Sequence, residues 1–168
     1  MGRWVTIHGN HVWIGDNDGD NYKQTPEDNN ASFGTPGKYK AYRAGNIWES
    51  HLGFLSFGLD KSQSEVYSKM HSAPINKYYI DITNPYYIEG SDFDEMQSQL
   101  TKKYAGKSYE EGKTLEESRK IMSVAAKKLE ELGYDSILMK KVNKLTKKET
   151  YEIDVLNSYV RKAIKSAK

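Results

Sequence analysis

Two helical stretches of unequal length, set among short β-strand patterns, constrain the fold of this 168-residue chain more than any other feature. Residues 115–132 have apolar side chains at helical spacing behind a capping box of Thr114 and Glu117, and residues 92–104 have Ser91 as a candidate cap. β-branched and aromatic residues predict strands over residues 39–43, 53–57, 78–82, 136–139 and 150–155. Because these elements alternate without a regular β–α–β rhythm, the sequence predicts an α+β fold rather than a doubly wound α/β fold.

The beginning of the chain differs in composition and predicts a division into three regions. Residues 1–15 predict a β-hairpin around a Gly9-Asn10 turn. Residues 16–37 are rich in Gly, Asp, Asn, Pro, Thr and Ser, which predicts a polar linker or surface loop. Residues 38–168 then form the main domain, so a chain beginning near Gly37 is expected to fold with little loss of stability.

Composition excludes several classes of site. The chain has no cysteine, which excludes disulfides, thiolate metal sites and a cysteine nucleophile. Aromatic rings, 13 of them from tyrosine, supply burial that a hydrophobic fraction of 37% does not. No apolar run approaches the roughly 18 residues of a membrane span, and no leader pattern is present. The sequence therefore predicts a soluble protein without a signal peptide or transmembrane segment, and a membrane is not an expected partner.

Charge is unevenly distributed between the two parts of the chain. Residues 1–100 carry 8 basic and 13 acidic side chains, and residues 101–168 carry 17 basic and 10 acidic ones. Such an asymmetry is compatible with an anionic partner for the C-terminal part. However, no basic segment is interleaved with aromatics in a nucleic-acid-binding pattern, so a lysine-rich solvated helical surface is the favoured interpretation and nucleic acid is not an expected partner.

A series of short motifs between residues 38 and 165 resembles ADP-ribosyltransferase domains of the arginine–serine–glutamate type, including those of phage and toxin proteins. The motifs, in chain order, are Tyr42-Arg43-Ala44-Gly45, Gly53-Phe54-Leu55-Ser56, a short helix ending near Tyr67, Tyr78–Ile82 with Asn84-Pro85, Leu132–Ile137, and a last strand carrying Glu152. The resemblance implies a split β-sandwich with peripheral helices. It also implies NAD as co-substrate, cleavage of the nicotinamide–ribose bond and transfer of ADP-ribose to a macromolecule, with no metal.

Physical chemistry assigns a task to each residue of this series. Arg43 suits the NAD phosphates, because a guanidinium binds phosphate oxygens with two parallel hydrogen bonds. Tyr42, which precedes it in the same motif, is also an expected NAD-binding residue. The Ser56 hydroxyl is suited to bond the ribose or to steady the catalytic carboxylate. An aromatic ring, from Tyr67 or Phe57, is suited to stack on nicotinamide. Structural roles for these residues, in a salt bridge, a strand end or the core, are the competing interpretation.

Glu152 is the predicted catalytic residue. A fixed carboxylate near the anomeric carbon stabilises the positive charge that develops on the ribose. Period-2 alternation places Glu152 on one face of its strand with Thr150 and Asp154, opposite Tyr151, Ile153 and Val155. Glu149 and Asp154 remain rival carboxylates, and the solvated face of an edge strand remains the structural alternative. Arginine-modifying members of the family have Gln or Glu two residues before the catalytic Glu, where this chain has Thr150.

The N-terminal hairpin provides a second resemblance. Its segment from Arg3 to Gly15 is similar to the region of phage minor head proteins that precedes appended effector domains. The resemblances imply a virion-associated or host-cytoplasmic protein whose acceptor is a protein of the host cell or phage particle. Whether the domain transfers ADP-ribose or hydrolyses NAD stays open. A catalytically inactive phage-head component that acts as a binding module is the alternative function.

Two patterns imitate metal sites. Asp16, Asp18, Asp20 and Glu27 have the carboxylate spacing of a calcium loop, but Asn21 replaces its glycine. The alternative of a plain acidic loop is therefore favoured. His8 and His11 flank the predicted hairpin turn without an evident third ligand, and His51 and His71 have no partner pattern, so no metal site is expected.

Overall fold

A computed structural model of the chain describes residues 3–7, 10–14, 33–45, 47, 53–61, 64–65, 68–69 and 72–166. The strands are β1 (Arg3–Ile7), β2 (Asn10–Ile14), β3 (Gly37–Ala44), β4 (Phe54–Gly58), β5 (Ile75–Ile82), β6 (Pro85–Gly90), β7 (Ser136–Val142), β8 (Glu149–Leu156) and β9 (Ile164–Ser166). Three α-helices are described over their full length: α1 (Phe93–Ala105), α2 (Leu115–Glu131) and the single turn α3 (Val160–Ala163). The described residues 61, 64–65 and 68–69 are also helical. This mixture of segregated helices and strands confirms the predicted α+β class.

Seven strands form one mixed sheet in the order β6-β7-β8-β4-β3-β5-β9. Only β6 and β7 are parallel; the other neighbours are antiparallel. The joint between β3 and β4 is short, since Tyr42 and Gly58 are their only paired residues, whereas β3 and β5 are paired over eight. The sheet therefore consists of two well-paired halves that meet at a narrow junction.

Each face of the sheet has its own hydrophobic core. One core contains alternate residues of the central strands, closed by Phe33 and by the C-terminal turn of the chain; its members include Tyr39, Leu55, Phe57, Ile80, Tyr151, Ile153, Val155, Val160 and Ile164. The other core lies under α1 and α2 and includes Phe54, Met96, Leu100, Met122, Ala126, Leu129, Ile137, Met139 and Leu156. Because β8 is paired with β7 on one side and with β4 on the other, it is a central strand, and the edge-strand alternative for its polar residues is wrong.

The two long helices have the predicted extents within one or two residues, but one cap differs. Asp92, not Ser91, caps α1, because its carboxylate accepts a hydrogen bond from the Asp94 amide at 2.8 Å. Thr114 caps α2 as predicted, accepting from the Glu117 amide at 3.1 Å. The Glu117 carboxylate accepts from the Lys113 amide rather than from Thr114, so the capping box is displaced by one residue.

Two strands were not predicted from the sequence. Pro85 is the first residue of β6, a position where its missing amide hydrogen costs no ladder bond. The three-residue β9 pairs with β5 over Tyr78–Ile80. Both strands border the sheet, where hydrogen bonding to one neighbour suffices to form a strand whose sequence pattern is weak.

The N-terminal region matches its prediction in part. β1 and β2 form an antiparallel hairpin, but Asn10 pairs with Ile7 as a strand residue instead of forming the turn. Phe33, within the segment predicted as linker, is buried and packs edge-on against Tyr151 with ring centroids 4.7 Å apart. The packed domain therefore begins before residue 38.

Candidate functional site

The three strands β3, β4 and β8 bring together residues that are distant in sequence. The Ser56 hydroxyl on β4 donates a hydrogen bond to Asp154 Oδ1 on β8 at 2.6 Å, across 98 residues of sequence. Arg43, at the end of β3, donates from Nη1 to the Ser56 carbonyl at 3.1 Å. Glu152 lies two residues before Asp154 on the same strand. These four residues form the candidate site.

Strand alternation places the two carboxyl groups on one face. Tyr151, Ile153 and Val155 are buried in the core on the opposite face, as the period-2 pattern predicted. Asp154 has no exposed surface, whereas Glu152 is half-buried. Of the two residues, Glu152 is therefore the one with surface exposed to solvent.

Burial controls the protonation of this pair. Loss of water raises the pKa of Asp154 well above its usual value; the Glu152 charge raises it further, whereas the Ser56 hydrogen bond and the Arg43 charge lower it. Burial also raises the pKa of Glu152, and its interaction with the Asp154 carboxyl lowers it. Asp154 Oδ2 is buried and has no hydrogen-bond partner among the described residues. Burial therefore disfavours two simultaneous negative charges on this pair of carboxyl groups.

A bare strip of sheet lies beside Glu152. Gly58 of β4 is paired with Glu152 on one side and with Tyr42 of β3 on the other. Directly paired antiparallel residues share a face, so Tyr42 and Glu152 flank a position without a side chain. The backbones of Tyr42 and Glu152 are two strand spacings apart, which is about 10 Å. This distance is enough for one flat ring to lie over Gly58. The sequence alone did not predict that Tyr42, Gly58 and Glu152 lie side by side on three neighbouring strands.

Arg43 lies where β3 and β4 separate. Beyond the Tyr42–Gly58 pair the two strands diverge, and the Arg43 guanidinium reaches the β4 backbone across that opening. Burial lowers the pKa of Arg43, whereas Tyr78 and Asp154 raise it. A guanidinium keeps its charge in such surroundings, so Arg43 is a fixed positive charge at the narrow junction of the sheet.

The structure does not bring every predicted residue to this site. Phe57 is on the opposite face, buried edge-on against Tyr78 with ring centroids 5.5 Å apart, so it does not face the carboxyl pair. Tyr67 lies outside the described residues. Glu149 turns to the face of Tyr151, whose hydroxyl donates to it, and forms an ion pair with Lys140 at 3.4 Å. Glu149 is thus separated from Glu152 by the sheet, as the alternation predicted.

The Ser56–Asp154 bond is the feature that sequence reasoning missed. Asp154 was considered only as a rival to Glu152, and Ser56 was expected to steady the catalytic carboxylate. In the structure Ser56 bonds Asp154, because these two residues are directly opposite in the β4–β8 register. The alternation of Glu152, Ile153 and Asp154 was the available signal, but it does not specify the neighbouring strand.

The described residues include no group of three or more His, Asp or Glu side chains arranged to hold a metal ion. Asp16, Asp18, Asp20, Glu27, His8, His51 and His71 lie outside the described residues, and His11 is described only as part of β2. In the described part of the chain no helix is both long and apolar enough to cross a membrane. A groove along α2 is lined by Leu115, Glu116, Arg119, Lys120, Ser123 and Val124, none of which belongs to the candidate site.

Comparison with known proteins gives one structural match. No protein-family model and no curated protein matches the sequence. A solved structure described as the crystal structure of an anti-CRISPR protein is similar to this chain, with a TM-score of 0.41 and 10% sequence identity. The match covers 81% of this chain and 99% of that chain.

Proposed function

We propose that this chain is an NAD-consuming ADP-ribosyltransferase domain with a split β-sandwich fold, in which Glu152 is the catalytic carboxylate. One observation carries the proposal: Arg43, Ser56 and Glu152 come from three adjacent strands, where Arg43 donates to the Ser56 carbonyl and Glu152 is paired with Gly58, two residues after Ser56. Their chain order is the order of the motifs that resemble this family. The narrow β3–β4 junction supports the split architecture.

The accessible carboxylate would act on the ribose. As the nicotinamide–ribose bond breaks, positive charge develops on the anomeric carbon and its ring oxygen, and a negative Glu152 beside it lowers the energy of the transition state. The Ser56 hydroxyl fixes the Asp154 carboxyl beside this site, and burial raises the pKa of Asp154, which disfavours a second negative charge next to Glu152. Asp154 and Ser56 thus act through Glu152 as positioning residues.

Nicotinamide would lie over Gly58. A planar amide-bearing ring fits between Tyr42 and Glu152, and the Tyr42 ring offers it an aromatic surface. Tyr42 therefore replaces the buried Phe57 as the described aromatic contact in this proposal. Arg43 beside the opening would bind the diphosphate of NAD, since its charge is permanent and its side chain is held at the junction.

The acceptor is proposed to be a protein of a host cell or phage particle, with water as the competing acceptor. A second assignment follows from the Ser56–Asp154 bond. If Asp154 were the catalytic carboxylate, Glu152 would occupy the position two residues before it, where arginine-modifying enzymes have Gln or Glu. The exposure of the two carboxyl groups favours Glu152, and their substitution separates the assignments.

The test is nicotinamide release from NAD by the wild type and four variants, with NAD affinity measured separately. Glu152→Gln keeps the shape and removes the charge, so we expect turnover to fall about 100-fold or more with little change in affinity. Arg43→Ala should mainly weaken NAD binding, because phosphate contacts exist before and during the reaction.

The two remaining variants serve as controls. Glu149→Gln lies on the other face of the sheet and should leave turnover near the wild-type level. Asp154→Asn should reduce turnover less than Glu152→Gln does. A larger loss of turnover for Asp154→Asn would mean that Asp154 is the catalytic carboxylate. A wild-type protein that neither binds nor cleaves NAD would contradict the enzymatic proposal and favour a non-catalytic phage-head component.

A further inference from the structure

The turn between β7 and β8 carries a cluster of positive charge around one exposed apolar side chain. We name residues 143–148, between these strands, the lysine turn; it contains Lys144, Lys147 and Lys148, all exposed. Lys140 and Lys141 lie just before it on β7. Leu145 within the turn is 92% exposed, more than any other large hydrophobic residue in the described part of the chain.

The lysine turn has a defined conformation. Asn143 Oδ1 accepts from the amides of Leu145 at 2.9 Å and Thr146 at 3.0 Å, and the Asn143 backbone bonds both Lys147 and Lys148. Lys147 has a positive φ of 62°, which closes the turn in a left-handed conformation. Leu145 is therefore presented on an ordered projection of the sheet, and its exposure is not relieved by packing.

Local acidic groups do not neutralise these charges. Glu89 and Glu149 both pair with Lys140, at 3.4 Å each, on the strands behind the turn. Lys141 lies over the Phe93 ring, 5.2 Å from its centroid. Within the described residues no ion pair involves Lys144, Lys147 or Lys148. Three lysines are left to interact with an external anion.

We propose that the lysine turn docks on an anionic lipid surface, with Leu145 entering the acyl boundary and the three lysines contacting headgroup phosphates. A convex turn with an aliphatic tip and flexible cationic stems fits a deformable layer that offers apolar and anionic groups at adjacent depths. A nucleic acid offers Leu145 no apolar environment, and the turn has neither the arginine nor the aromatic rings that read bases. This inference does not rest on the proposed NAD chemistry.

The experiment is sedimentation with vesicles of phosphatidylcholine alone or of phosphatidylcholine and phosphatidylserine at about 7:3. We expect the wild type to bind the anionic vesicles at low salt and to be released as salt screens the lysines. Replacing Lys144, Lys147 and Lys148 together with Gln should weaken binding about 100-fold, since each lysine near such a surface contributes about 5-fold. Leu145→Ser should weaken it about 10-fold or more while preserving the salt dependence.

Matched controls separate the turn from general charge and hydrophobicity. Replacing Lys102, Lys107 and Lys127 together with Gln removes the same amount of positive charge from exposed positions outside the lysine turn. Leu132→Ser removes another exposed leucine. These controls should bind like the wild type, and melting curves check that every variant is folded. Failure to bind anionic vesicles, equal losses in the controls, or binding only to a 20-base-pair DNA duplex or to polyglutamate would overturn the proposal.

Discussion

Asp154 is a carboxyl group without exposed surface, with Ser56 opposite it and Glu152 two residues before it. Its pKa is raised because an ionised carboxylate at this position would lose hydration and face a second negative charge. In the unfolded chain the same group titrates near its ordinary value of about 3.9. The folded state therefore holds a proton that the unfolded state has already released, and stability falls as the pH rises above that value.

This difference predicts the pH dependence of Asp154→Asn. The amide cannot ionise and still offers an oxygen to Ser56, so the variant avoids the cost that the wild type incurs as the pH rises. We expect its melting temperature relative to the wild type to increase as the pH rises above about 4, measured by circular dichroism. A relative melting temperature that decreases over this range would mean that Asp154 is stabilised as a carboxylate.

Gly53 allows the start of β4 to approach α2 closely. A Cβ atom there would lie 2.7 Å from the Ala126 Cβ, and its φ of +91° disfavours any other residue. Gly106 has a similar φ of +79° with no atom within 4 Å of the added Cβ. Chemical denaturation should therefore show a loss of about 3 kcal/mol for Gly53→Ala and about 1 kcal/mol for Gly106→Ala. Equal losses would show that the contact with α2 is relieved without cost.

At the scale of elements, Asp135 connects the β5–β6 turn to the start of β7. Its carboxylate accepts from the Thr83 amide at 2.7 Å, the Thr83 hydroxyl at 2.8 Å, the Asn84 amide at 3.2 Å and the Ser136 hydroxyl at 2.9 Å. The Asn84 side chain returns a bond to the Gly133 carbonyl at 2.8 Å. These bonds hold β6 parallel to β7, although the turn that leads into it contains no apolar side chain.

Asp135→Ala removes the buried carboxylate that accepts all four of these hydrogen bonds. We expect the free energy of unfolding to fall by about 3 kcal/mol, because the variant loses four hydrogen bonds to one buried carboxylate and leaves the buried Ser136 hydroxyl without this acceptor. Asp92→Ala, which removes a single exposed cap, should cost only about 1 kcal/mol. Urea denaturation of both variants makes the comparison, and similar small losses would show that water replaces Asp135.

At the scale of the whole molecule, Phe33 joins the segment before β3 to the core on one face of the sheet. It contacts Tyr39, Tyr87 and Tyr151 edge-on, with centroid distances of 5.9, 6.1 and 4.7 Å. Because Phe33 is buried, a chain that begins near Gly37 is now expected to lose stability. A chain beginning at Ala31 should retain the stability of the folded domain better than one beginning at Lys38, which lacks the ring.

The size of this difference is set by the lost ring. Phe33→Ala in the full chain should reduce the free energy of unfolding by about 3–5 kcal/mol, and the Lys38 truncation should lose at least as much. Thermal and urea melting of the truncations and the point variant test this. If the Lys38 truncation melts like the Ala31 truncation, the packing of Phe33 contributes little.

Local patterns alone determined the α+β class, the two long helices, seven of the nine described strands and the alternation of β8. Each of these features depends on the spacing of hydrophobic residues, on helix caps or on turn residues, all of which act over a few positions of the sequence. They also placed Glu149 opposite Glu152, because strand alternation needs no knowledge of neighbours.

Only the tertiary structure decided which strands are neighbours and in which register. That register pairs Ser56 with Asp154 and places Gly58 between Tyr42 and Glu152, although these residues are up to 110 positions apart. It also makes β8 central, which buries Asp154 and raises its pKa. Strand order depends on how two cores pack against opposite faces of one sheet, a balance among many distant side chains that no local segment of the sequence contains.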